Sequence, residues 1–82
     1  PNYAEAYSNR GLVQKELGFY EMALKSFDQA IAINPYSSGF YYNRGITFQE
    51  LNSLEEALLN YEKSIKIMFA FGLCRISKLQ KK

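Results

Sequence analysis

Eighty-two residues make at most one small domain, and a chain this short buries a modest share of its surface. An apolar fraction of 48%, with seven Tyr and six Phe, excludes a disordered chain. A net charge of +2 is too weak to point to nucleic acid, and the absence of His removes the commonest acid–base and metal-binding side chain. The lone Cys74 closes no disulfide within the chain, which fits a reducing compartment, with the cytoplasm as the expectation. No run of about 18 apolar residues is present to span a membrane. The chain starts at Pro1 without Met, so it reads as a fragment or a processed piece.

Residues 1–3 are a lead-in. A first helix is expected over about 4–17, stopped by Gly18, a residue suited to the left-handed conformation. A second is expected over about 20–33, ended by Asn34-Pro35 because proline disfavours helix in the residue before it. Ser37 or Ser38 can cap a third helix over about 39–51. Asn52 then takes the place of Gly18 at the stop. Ser53 and Glu56 form a capping-box pattern before a fourth helix, which runs from 54 to at least 68. No linker or low-complexity segment interrupts the order.

The chain falls on itself when shifted by 34 residues. Tyr7, Asn9, Arg10 and Gly11 meet Tyr41, Asn43, Arg44 and Gly45; Glu16-Leu17 meets Glu50-Leu51; Glu21 meets Glu55; Ala23-Leu24 meets Ala57-Leu58; Ile31 and Ile33 meet Ile65 and Ile67. A fixed period of this size marks a repeat architecture. Within each antiparallel hairpin, facing residues share a nearly constant index sum. Gly11 should therefore face Phe27, Tyr7 face Ala30 and Gln14 face Ala23; in the second hairpin Gly45 should face Tyr61 and Tyr41 face Ser64. The same rule pairs Arg10 with Asp28 and Arg44 with Glu62, so one ion pair is expected inside each hairpin.

Tyr7-x3-Gly11 followed by Ala23, Phe27, Ala30 and Pro35 resembles the tetratricopeptide repeat, and Tyr41, Gly45, Ala57 and Tyr61 repeat the pattern. Ser64 and Phe69 depart from it, standing where the first copy has Ala30 and Pro35. The resemblance implies an all-α fold, an alpha-alpha superhelix, forming one domain over 1–82. Repeat one covers about 4–37, repeat two about 38–71, and a C-terminal helix about 70–82. It also implies that the first helix of each repeat lines a concave face. Opposite the packing stripe those helices carry Glu5, Ser8, Asn9, Leu12 and Lys15, then Tyr42, Asn43, Ile46 and Gln49. An Asn amide both donates to and accepts from a peptide backbone, so Asn9 and Asn43 suit an extended ligand. The clamp of Lys, Asn and Arg by which some members hold a chaperone's C-terminal carboxylate is not matched, since only Asn43 fits it.

The expected function is thus a protein-interaction module, taking a partner peptide or helix, with no catalysis, metal or cofactor. The acids are spread as on solvated helix faces, and Cys74 has no base in reach by sequence. Residues 68–82 lack the aromatic-to-glycine signature. Phe69, Leu73, Ile76 and Leu79 form an apolar stripe beside Arg75, Lys78, Lys81 and Lys82. Without a proline at Phe69 the fourth helix can run straight on, exposing Phe69, Phe71, Leu73 and Ile76 for a homodimer. The rivals are membrane-surface association through this basic amphipathic helix, or a purely structural piece of a longer solenoid.

Overall fold

The computed structural model describes residues 3–73. They form α1 (Tyr3–Glu16), α2 (Tyr20–Ile33), α3 (Ser38–Glu50), α4 (Leu54–Met68) and a π-helical turn, Phe69–Leu73, that prolongs α4. No strand is present among the described residues. α1 pairs with α2, α3 pairs with α4, and the two hairpins meet mainly along α2 and α3. This is the expected superhelical arrangement. The fourth helix does run on past the missing proline. The remainder of the tail, Ile76 included, lies outside the described residues.

Both hairpins turn by the same device. Gly18 has φ +87° and Asn52 φ +62°. In the first turn Gly18 N–H donates to the Lys15 carbonyl at 3.0 Å and Phe19 N–H to that of Gln14 at 2.8 Å. In the second, Asn52 N–H donates to the Gln49 carbonyl at 3.0 Å and Ser53 N–H to that of Phe48 at 2.9 Å. These paired bonds are the Schellman closure, which satisfies carbonyls left open at a helix end. α2 ends at Asn34, whose Oδ1 accepts from Tyr36 N–H at 3.1 Å, an Asx turn just beyond the helix.

The N-termini depart from expectation. Ser37 and Ser53 occupy the cap positions, but neither side chain makes a capping bond. Ser53 has ψ 75°, outside the β region that a capping serine adopts, so no capping box forms with Glu56. The Glu56 backbone carbonyl accepts from Asn60 Nδ2 at 2.8 Å.

Helix approach follows the glycines. A methyl carbon placed on Gly11 would lie 2.7 Å from Phe27 Cε1, and one on Gly45 the same distance from Tyr61 Cε1. Both aromatic rings therefore rest on bare backbone, in the register read from the sequence. Between the hairpins Phe40 of α3 inserts against Ala4 and Ala30, with Tyr7 and Ile31 packed around it. Phe27 is completely buried.

The arginines are placed differently from the expectation. Arg10 donates to Ser26 Oγ at 3.1 Å and to Gln29 Oε1 at 2.7 Å, not to Asp28. Arg44 donates to Asn60 Oδ1 at 2.8 Å and pairs with Asp28 of the preceding hairpin at 2.6 Å, not with Glu62. Each guanidinium also lies over the tyrosine three residues before it, Arg10 over Tyr7 and Arg44 over Tyr41, 5.2 and 5.5 Å from the ring centres. The reason is where Asp28 sits: on the face of α2 that meets the next hairpin. The index rule describes one hairpin and is blind to the seam between two.

Two expectations follow. Gly11→Ala should destabilise the fold by about 1–3 kcal/mol in urea denaturation, because the buried Phe27 ring has nowhere to go. Gly45→Ala should cost about as much, since the added carbon meets the Tyr61 ring at 2.7 Å and also the Ala57 backbone carbonyl at 3.3 Å. A double-mutant cycle on Asp28→Ala and Arg44→Ala should give a coupling of about 0.2–1 kcal/mol that shrinks in high salt. The pair's side chains are 59% and 24% exposed, so solvent screens it.

Candidate functional site

Two surfaces are available to a partner. The first is the face shared by α1 and α3. Asn9 is exposed and Asn43 half-buried, one repeat apart in equivalent positions. Neither side-chain amide has an intramolecular partner among the described residues. The Asn43 backbone carbonyl is occupied, accepting from Thr47 Oγ1 at 2.9 Å. Leu12 and Ile46 are half-buried and Glu5 is exposed. Lys15 lies mostly buried along its stem and pairs with its neighbour Glu16 at 3.1 Å. Ser8 leaves the proposed set, because it is buried and has no surface to offer.

The second surface is a cleft of about 450 Å³ between α3 and α4, lined by Tyr42, Gln49, Tyr61, Ser64, Ile65 and Met68. Tyr42 and Gln49, expected on the first face, are gathered here. Their rings and amide converge on Tyr61. The Tyr61 hydroxyl donates to Gln49 Oε1 at 2.6 Å, and the Tyr42 and Tyr61 rings lie 5.6 Å apart at 47°. Burial raises the Tyr61 pKa above its ordinary value, helped by Tyr42 and by the Glu50 carboxylate nearby. The phenol therefore remains a hydrogen-bond donor throughout the physiological range.

The sequence reading passed over Tyr61, Ile65 and Met68. The repeat itself carried the signal. They stand in phase with Phe27, Ile31 and Asn34, and Ile31 lies on the side of α2 that packs against α3. In the second hairpin the described residues place no helix there.

Beyond the cleft, Phe69 and Phe71 are 54% and 70% exposed. Phe71 meets Tyr36 of the α2–α3 turn edge to face, with ring centres 6.1 Å apart. Among the described residues no three Cys, Asp or Glu side chains come together to hold a metal ion. None of their helices is long and apolar enough to cross a membrane.

Two family models, both described as tetratricopeptide repeat, match residues 4–37 and 26–59. The first spans α1 and α2. The second begins inside α2 and ends inside α4, so it covers the seam between hairpins. No curated protein matches the sequence. Among solved structures, the crystal structure of MamA is similar, with a TM-score of 0.80 and 25% identity over 83% of this chain. The match takes in 40% of that protein, so this chain spans less than half its length.

The two aromatic positions should respond unequally to truncation. Phe27→Ala should cost about 3–5 kcal/mol, since it leaves a closed cavity. Tyr61→Ala should cost less than half as much in the same urea titration, because its ring borders an open cleft that solvent fills.

Proposed function

This chain belongs to the tetratricopeptide repeat family, and we propose from that premise that it is a non-catalytic interaction module. It holds an extended peptide, or one helix, of a partner protein across the α1–α3 face. One observation carries the reading. Asn9 and Asn43 recur one repeat apart on that face, and their amides are not engaged within the described residues. Each amide offers a donor and an acceptor, the pair that a peptide unit presents in return. Leu12 and Ile46 supply an apolar floor between them.

The exposed Phe69 and Phe71 favour a second and compatible reading, self-association with the end of α4 in the interface.

Each reading has its own test. Against a peptide selected from a random library on the wild-type protein, Asn9→Ala with Asn43→Ala should weaken binding by about 1–3 kcal/mol, with helicity unchanged by circular dichroism. Unaltered affinity removes these residues from the site. For self-association, Phe69→Ser with Phe71→Ser should lower the mass found by sedimentation equilibrium toward the 9.5 kDa monomer.

A further inference from the structure

The seam between the two hairpins is an interface whose two sides are both known. On the α2 side it offers Ala30, Ile31 and the Asp28 carboxylate; on the α3 side it offers Phe40 and the Arg44 guanidinium. The repeat reproduces each side once more at an end of the molecule. A shift of 34 carries Ala30, Ile31 and Asp28 onto Ser64, Ile65 and Glu62 of α4. The opposite shift carries Phe40 and Arg44 onto Ala6 and Arg10 of α1.

Among the described residues nothing covers either end surface. Ile65 is 56% exposed, whereas Ile31 is half-buried at the seam. Val13 is 58% exposed, whereas its counterpart Thr47 is completely buried. Within a hairpin these positions are equivalent, so the difference is the neighbour that covers them. Glu62 and Arg10 are exposed too, and Glu62 has no partner among the described residues.

We propose that a second copy of this chain docks head to tail. The α1 helix of one copy lies in the α3–α4 cleft of the next, and Glu62 of the receiving copy pairs with Arg10 of the incoming one. This interface differs from the one at Phe69 and Phe71, and it does not depend on the peptide-binding face. Charge decides the orientation: Glu62 with Arg10 repeats the sign and the register of Asp28 with Arg44. The incoming helix has Ala6 where α3 has Phe40, and the residues that receive Phe40 at the seam correspond to Ser38, Ser64, Tyr41 and Ile65 in the second hairpin. The contact joins two unlike surfaces, so it leaves both ends open and assembly continues past a dimer.

Sedimentation equilibrium across a wide concentration range tests this, with circular dichroism to confirm folding. The wild-type average mass should climb with concentration and show no plateau at twice 9.5 kDa. Arg10→Glu alone and Glu62→Arg alone should each remain near 9.5 kDa. An equimolar mixture of the two variants should regain the wild-type mass, because each then meets an opposite charge. Arg10→Glu also removes the bonds to Ser26 and Gln29, so Glu62→Arg serves as the variant that disturbs no internal contact. A monomeric wild type, single variants that assemble as before, or a mixture that stays monomeric overturns the proposal. A plateau at the dimer that only Phe69→Ser with Phe71→Ser abolishes also overturns it, and leaves a closed dimer through the end of α4 instead.

Discussion

Everything in this molecule hangs on two helices being allowed to touch. At Gly11 and at Gly45 there is no side chain, and an aromatic ring fills the missing space from the facing helix. Glycine inside a helix costs about 0.5–1 kcal/mol relative to alanine. The close approach offsets that cost by seating Phe27 in a fully buried position. It also fixes the hairpin register, since only one sliding position puts the ring over the glycine. Register then determines which residues of α2 face outward to receive α3. The seam, the cleft and the placement of Arg44 against Asp28 all follow from a contact that is local to each hairpin.

The second hairpin repeats this contact with a tyrosine. The extra hydroxyl needs a partner at the edge of the protein, and Gln49 supplies it. A phenylalanine at that place would be comfortable only under a covering helix. Tyrosine keeps the ring in contact with Gly45 and gives its outer end a polar bond. The α3–α4 cleft is therefore amphipathic: an apolar floor of Ile65 and Met68 with a hydrogen-bonded rim.

Much of this was legible from the residues alone, and the failures share a cause. The helix stops were readable because Gly18 and Asn52 must adopt a backbone that other residues resist. The glycine–aromatic contacts were readable because an antiparallel hairpin has a single register to find. The capping box at Ser53 was not, because a matching pattern says nothing about the ψ that the chain takes on leaving a Schellman turn. The partner of Arg44 was misassigned because Asp28 lies across the seam from it, a relation that leaves no spacing within one repeat. The cleft was hidden likewise, since Ile65 differs from Ile31 only in what lies over it.

The seam has a mechanical consequence. Each hairpin is bound along its whole length, while the two hairpins are held chiefly by one inserted ring, Phe40, and one half-exposed ion pair. Salt that screens the ion pair weakens this seam and leaves the glycine–aromatic contacts inside each hairpin unchanged. Asn9 and Asn43 sit on opposite sides of it. The angle between the hairpins therefore sets the distance between these two amides.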